Sequence, residues 1–356
     1  MVSLSAVQTS NARIAATLST TPVAVSIGAT SGIGQPGLLQ YSQHTAPQNP
    51  RVYVVGRSQP AADEILQQLR SIKPDGTAEY VFIKADVSLL RQVDKVCKQI
   101  KEKENAINLL VLSQGTLEMS QVEKLPLLPA LSYYSRMRFI ANLLPLLRTA
   151  ASTTSSLSRV ITVLAGTKEG PINPSNIPGK KVSKNNHGQI SCIHTYPGFV
   201  DTGLGRSITG ITGGVMKAAY LLMKPFHTKH YIPFEECGDR HVFLVTSSRY
   251  STQPLPQGVV VDGLDTAVGS NGHIGSGVYT VDEVCESADA RGQAQLEELR
   301  QNGVKEKVWQ HLQDEFEDYG GVGDHVLFLH TRTRLDRPAF YQAKVDTTIL
   351  TLLLQL

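Results

Sequence analysis

The chain has 356 residues, 41% hydrophobic and 18% charged, and its 34 basic and 31 acidic side chains leave a formal net charge of +3. That length allows one large domain or two small ones, and the composition is ordinary for a globular protein with a buried core. The charge balance is too even for a nucleic-acid partner, and no run approaches the ~18 apolar residues of a membrane-spanning helix. Cys97, Cys192, Cys237 and Cys285 show no metal-ligand spacing and are too few for a disulfide scaffold. They read as reduced thiols in a cytoplasmic protein whose N-terminus lacks a signal-peptide pattern.

Residues 1–20 suit a short leading helix. Val23-Ala24-Val25-Ser26-Ile27, bounded by Pro22 and Gly28, reads as a buried strand. A glycine-rich turn follows, then a helix with Pro36 in its first turn, where the missing N–H costs little. Strands are expected at 51–55, 80–83, 107–112 and 159–164, with helices at 60–72, 88–103 and 131–149 between them. Such alternation predicts an α/β fold, a doubly wound parallel sheet of Rossmann type covered by helices on both faces. Between Ala165 and Ile190 the rhythm breaks into a Gly/Pro-rich stretch with no convincing helix, an unusual length for a loop inside a domain. A strand at 190–194 comes next, then helices at 213–224, 234–247, 287–302 and 304–318, the last with Trp309, the single tryptophan. Residues 259–261 and 277–279 read as a hairpin or as two segments joined by a longer loop. We expect one domain over 1–325 and a separate C-terminal extension over 326–356.

The segment Gly28-Ala29-Thr30-Ser31-Gly32-Ile33-Gly34 lies between a predicted strand and a predicted helix, with G-x-x-x-G-x-G spacing. A tight turn, close backbone approach to a pyrophosphate and hard packing of helix on strand all demand glycine there. The helix N-terminus then offers free N–H groups and a positive dipole end to phosphates. Arg57 and Ser58 follow the second strand, near where an adenosine ribose lies in such sheets. An arginine there pairs with a 2′-phosphate and favours NADP, with NAD left open. The plain alternative is a surface arginine. Asp86, after the third strand, is placed to accept from an adenine amino group or to cap a helix.

These residues together resemble the short-chain dehydrogenase/reductase family, over roughly residues 20–325. The family loop T-G-x-x-x-G-x-G is matched except that Ile27 replaces the threonine. Its Asp-Val pair is matched by Asp86-Val87, and its proline-glycine motif by Tyr196-Pro197-Gly198-Phe199-Val200-Asp201-Thr202. The resemblance implies that Gly28, Thr30, Ser31, Gly32, Ile33, Gly34, Arg57, Ser58, Asp86, Val87, Gly115, Pro197, Gly198, Val200 and Thr202 hold the cofactor. Residues 133–139 and 166–171 look like a fungal subgroup whose members resemble accessory enzymes of secondary metabolism.

The family's catalytic set of asparagine, serine, tyrosine and lysine is not found. Leu112-Ser113-Gln114-Gly115 stands for its N-N-A-G segment, Ser132 holds the asparagine position, and Ala165 the serine position, with Thr167 two residues on. No tyrosine occurs between Tyr134 and Tyr196, so the Y-x-x-x-K pair is missing where a helix is also missing. The remaining candidates are Ser132, Thr167 and Tyr196. Tyr134 and Arg138 share a helix face but read as an accident of spacing, and His194 as a core or surface histidine. The resemblance implies an NADP-dependent oxidoreductase acting on a carbonyl or alcohol of a small, hydrophobic metabolite. The alternative is a catalytically impaired or non-redox NAD(P)-binding descendant. No membrane or nucleic-acid partner is expected, and the loss of the usual interface helix puts oligomerisation in doubt.

Overall fold

Runs of β-branched and aromatic residues settle as parallel strands when helices cover both faces of a sheet. The computed structural model describes residues 1–18, 21–116, 118, 120–122, 125–152, 157–168, 190–200, 231–252, 257–287 and 289–318. Within these, β1 (Val23–Ile27), β2 (Arg51–Gly56), β3 (Glu79–Lys84), β4 (Leu109–Leu112), β5 (Arg159–Val163), β6 (Ser191–Thr195) and β7 (Val278–Val281) form one sheet. Their spatial order is β3-β2-β1-β4-β5-β6-β7, and every neighbouring pair is parallel. The chain thus winds outward from β1 in one direction, returns, and winds outward from β4 in the other. The expected single-domain, doubly wound architecture is present.

Strand periodicity sorts the core into two halves. Val25, Ile27, Leu110, Leu112, Val160 and Cys192 face one way, and Ala24, Val52, Val54, Leu109, Ile161 and Ile193 the other. The second face receives α1 (Leu4–Ala12), α2 (Gly34–Thr45), α3 (Gln59–Ile72) and α6 (Phe234–Thr246). Helix α3 shows why: Ala62, Ile65, Leu66 and Leu69 recur at helical spacing and are all buried, and Ser58 caps its N-terminus. The first face receives α4 (Leu90–Lys101), α5 (Ser135–Ser152), α7 (Ala290–Gln301) and α8 (Val304–Asp318).

Three details go beyond the sequence expectations. The helix expected over 131–149 is preceded by a wide π-type turn, Ala130–Tyr134, and runs as α5 to Ser152. Residues 259–261 do not form a hairpin with 277–279. Val278–Val281 pairs with β6 instead, and Val259 makes one bridge with Ser247. All four β7 residues are buried, which a solvent-facing hairpin would not provide, and the Gly277 carbonyl accepts from Cys192 N–H at 2.8 Å, drawing the strand to β6. Lastly, α8 is fastened onto α5. Tyr133 Oη reaches the Val308 carbonyl at 3.5 Å, and Tyr134 Oη bonds His311 Nε2. Arg138 grips Asp94 through Nε at 2.7 Å and Nη2 at 2.8 Å, lies 4.8 Å over the Phe316 ring, and donates to the Phe316 carbonyl at 3.4 Å. Tyr134 and Arg138 therefore serve docking.

The four cysteines are buried and form no disulfide. Among the described residues no helix is long and apolar enough to cross a membrane. The Gly/Pro-rich segment where the Y-x-x-x-K helix was sought, the helix expected at 213–224, and the extension 326–356 lie outside the described residues.

Arg138→Met removes one partner of a largely buried, bidentate ion pair and leaves Asp94, which keeps partial contact with water. We expect a loss of about 2–3 kcal/mol in unfolding free energy. Urea denaturation would read it as a lower midpoint at unchanged slope; an unchanged midpoint would contradict the docking role.

Candidate active site

In a doubly wound sheet a crevice opens at the strand C-termini where the winding direction reverses. Here that point lies between β1 and β4. The turn after β1 enters it with Gly28 at φ +81°, its N–H bonded to the Val55 carbonyl at 3.0 Å. A Cβ on Gly28 would stand 2.7 Å from Gln114 N, so any other residue would push β1 and β4 apart. A Cβ on Gly34 would run into Ser113 Oγ and come within 2.9 Å of Ala29 Cα. Ser113 in turn ties the two strand ends together, since both its N–H (3.0 Å) and its hydroxyl (2.8 Å) donate to the Ile27 carbonyl.

Between these two tight contacts the loop faces outward. Gly32 has nothing within 4 Å of where its Cβ would be. Helix α2 begins at Gly34 with no side chain capping its N-terminus. Its Gln35 N–H makes a long bond to the Gly32 carbonyl at 3.4 Å, and the positive dipole end, with no side chain over it, suits an anion. Turn, open front and uncapped helix end together fit a dinucleotide's pyrophosphate.

The other expected cofactor residues follow the C-terminal ends of parallel strands, so they collect at the same edge. Arg57 and Ser58 follow β2 and are exposed, and Ser58 Oγ also accepts from Ala61 N–H at 3.4 Å as the α3 cap. Asp86 follows β3 and is exposed; one carboxylate oxygen accepts from Ser88 N–H at 3.1 Å and Ser88 Oγ at 2.7 Å. That oxygen holds a local turn ahead of α4, the capping alternative in slightly displaced form. Val87 is buried in the core, and Gly115 is exposed just beyond β4. Pro197, Gly198 (φ +77°) and Val200 follow β6. Thr202 lies outside the described residues.

The three catalytic candidates differ sharply. Ser132 donates its hydroxyl to the Leu128 carbonyl at 2.7 Å, one helical turn back. Thr167 takes a left-handed backbone, φ +65°, costly for a β-branched residue, and its N–H donates to Thr280 Oγ1 at 2.7 Å. Tyr196 is half-buried at the end of β6, with Lys168 Nζ 5.1 Å from its ring centre. Burial, and after it the Glu283 charge, raises the Tyr196 phenol above its usual value.

Sequence reasoning missed Arg136. It reaches under the strand ends, fully buried, and donates through Nη2 to the Gln114 carbonyl at 2.5 Å. Burial pushes its pKa down to about 9, so it remains a cation at neutral pH. Beside it His194 projects from β6, its Nδ1 bonded to Thr162 Oγ1 at 2.7 Å. Burial, then the Arg136 charge, lowers His194 to about 3. The sequence shows that residues 136 and 138 lie on roughly opposite sides of an apolar helix, but only the structure shows that Arg138 takes Asp94 and Arg136 takes no carboxylate among the described residues.

The short chain dehydrogenase family model matches residues 22–135 of this chain, from β1 to the start of α5. An oxidoreductase of Emericella nidulans is 34% identical over 340 residues, spanning 88% of this chain and 97% of that protein. An NmrA-like family domain-containing oxidoreductase of an Aspergillus species is 32% identical over 358 residues, 91% of this chain and 97% of its own length. A short-chain dehydrogenase/reductase of Stachybotrys chartarum is 27% identical over 302 residues, covering 73% of this chain and 81% of that one.

Burial lowers His194, His241 and His44 below their ordinary value of 6.5. Below that pH the unfolded chain binds more protons than the folded one, so their contribution to stability is complete above about pH 6.5 and is lost on acidification. His194 alone contributes a slope of about 1.4 kcal/mol per pH unit between its unfolded and folded values. Urea unfolding from about pH 7.5 to 5.5 should show stability falling, and less steeply in His194→Asn. A protein that gains stability over that range would contradict the buried, neutral imidazoles.

Proposed function

The chain belongs to the short-chain dehydrogenase/reductase family of NAD(P)-dependent oxidoreductases, and from that premise we propose that it interconverts a carbonyl and an alcohol on a small, largely apolar metabolite, using NADP. The observation that carries this reading is the glycine turn at the sheet's switch point, closed tightly at Gly28 and Gly34 and open in front of Gly32. In it the N–H groups of residues 30–34, with the Thr30 and Ser31 hydroxyls, hold the pyrophosphate. Arg57 and Ser58 take the 2′-phosphate, and Asp86 receives the adenine amino group beside Val87. Gly115, Pro197, Gly198, Val200 and Thr202 border the nicotinamide. When bound, the reduced cofactor supplies the hydride.

The proton is assigned to Tyr196. The phenol carries its proton at physiological pH, although its raised acidity constant makes it a weaker donor, and its half-exposed position allows recharging from solvent. The Lys168 ammonium lies over the ring. Thr167 is placed to orient the substrate oxygen, while the Ser132 hydroxyl is spent on its own helix. An apolar substrate is supported by Phe199 and Tyr231, joined by a backbone bridge beside the Pro197-Gly198 turn and 41% and 44% exposed. Buried thiols without disulfides fit a cytoplasmic setting, and the resemblance to the fungal subgroup supports a place in secondary metabolism.

A second reading, an NAD(P)-binding descendant with impaired turnover, is favoured by Ala165 at the serine position and by the absence of any tyrosine between Tyr134 and Tyr196. Two variants separate these readings. Arg57→Ala should weaken NADPH binding by about 10–100-fold and leave NADH unchanged, read by calorimetric titration; equal effects on both cofactors would remove the 2′-phosphate role. Tyr196→Phe should lower kcat by about 100-fold or more at unchanged NADPH affinity. A wild type that binds NADPH yet reduces no carbonyl across a broad panel supports the second reading instead.

A further inference from the structure

Arg136 brings a charge into the interior with no opposite charge to meet it. Its side chain is 1% exposed. A guanidinium has five N–H donors, and here one bond is made, to the Gln114 carbonyl at 2.5 Å. Nε and Nη1 are buried without a hydrogen-bond partner. The neighbouring arginine is treated in the opposite way, since Arg138 holds both oxygens of Asp94. Among the described residues no carboxylate forms an ion pair with Arg136, and burial is the one influence on its pKa. An unpaired cation stripped of water is strongly unfavourable, and such a group in a folded protein calls for an explanation.

The surroundings add donors. His194 Nε2 is also buried and unpartnered. In the tautomer where the Thr162 hydroxyl donates to Nδ1, Nε2 carries the proton and becomes a further donor. What is missing is an acceptor with excess electron density. The location is telling as well. Arg136 bonds the residue whose backbone presses on Gly28, and the next residue, Gly115, is exposed with open space before it. The unmet charge lies one residue behind the crevice in which ligands bind to open α/β sheets.

We propose that Arg136 receives a carboxylate carried by the substrate, which makes the substrate a small oxo acid or hydroxy acid with an apolar body. This deepens, and rests on, the reading of the crevice as a carbonyl or alcohol site. The carboxylate brings the opposite charge that Arg136 lacks, and Arg136 binds it without joining the redox step. His194 stays neutral and offers Nε2–H beside it. The Gln114 carbonyl holds the guanidinium in place, so the anion site is set at a fixed distance from the cofactor turn.

The test uses the full chain without cofactor. Phenylpyruvate, its methyl ester and inorganic phosphate are compared by calorimetry and thermal shift on wild type, R136M, R136K and R136Q. We expect phenylpyruvate to bind and to raise the melting temperature while the ester does neither. R136M should lose at least about tenfold in affinity for the acid, and R136K should recover part of it. R136M should still fold, because an apolar chain of similar length replaces an unpaired buried charge and this offsets the lost bond to the Gln114 carbonyl; if it does not fold, R136Q carries the comparison. Equal binding of acid and ester overturns the proposal, as does phosphate binding as well as the acid, which would make Arg136 a general anion sink. No acid binding at all overturns it too and leaves the free donors to internal water. NADPH titrated against the same variants completes the test. If R136M weakens NADPH and not the acid, Arg136 serves the cofactor and the proposal falls. If NADPH fails to bind wild type while the acid preference persists, the oxidoreductase reading fails and the carboxylate site stands.

Discussion

Backbone meets backbone where β1 and β4 diverge, and that contact governs what the molecule can do. Gly28 and Gln114 approach so closely that a single added carbon would come within 2.7 Å of the Gln114 nitrogen. Two strands hydrogen-bonded along their length reverse the winding of the chain at this point. A cleft at the reversal stays narrow enough to grip a pyrophosphate only if the two strand ends do not separate. Ser113 holds them from one side by donating twice to the Ile27 carbonyl, and Arg136 holds the Gln114 carbonyl from beneath. Three neighbouring residues, 113 to 115, thus form one wall of the cleft, with the glycine turn opposite.

Polar residues on α5 and the turn before it are divided between stability and the site. Tyr133, Tyr134 and Arg138 point toward α8 and spend their donors there. Arg136, two residues from Arg138, turns toward the sheet because successive helical residues advance by about 100°. The C-terminal helices bury Trp309, Leu312 and Phe316 against this same face, which shields the polar groups under β4, β5 and β6 from bulk water. Shielding raises the strength of any charge interaction made there, and it raises equally the cost of a charge left unmatched.

Holding a cofactor and using it are served by different parts of the chain. Cofactor residues cluster at strand ends because parallel strands deliver their C-termini to one edge whatever the loops do. In the proposed reading proton delivery falls to side chains that follow β5 and β6, and there the chain departs from the family pattern, with Ala165 where a hydroxyl is expected and Tyr196 as the phenol that follows β6. Thr167 carries left-handed backbone strain at that edge, the kind of outlier that persists when surrounding structure over-determines a conformation.

The amino-acid sequence by itself determined the sheet's parallel strands, the helices between them, and the glycine turn, because hydrophobic period and glycine spacing are local properties that survive without knowledge of neighbours. It also marked Arg57, Asp86 and the Pro197-Gly198 turn, since each follows a strand end that the pattern locates. Only the tertiary structure decided the rest. Whether residues 278–281 join a hairpin or the edge of the main sheet depended on which faces were already covered. Tyr134 and Arg138 have a spacing compatible with chemistry, and a helix almost two hundred residues later claims them. Arg136 looks like any surface arginine in the sequence, and its isolation is visible only once the distances to all possible partners are known. Charge pairing across a fold is a property of three-dimensional neighbours. The glycine turn could be read from the chain, whereas the unmatched cation behind it could not.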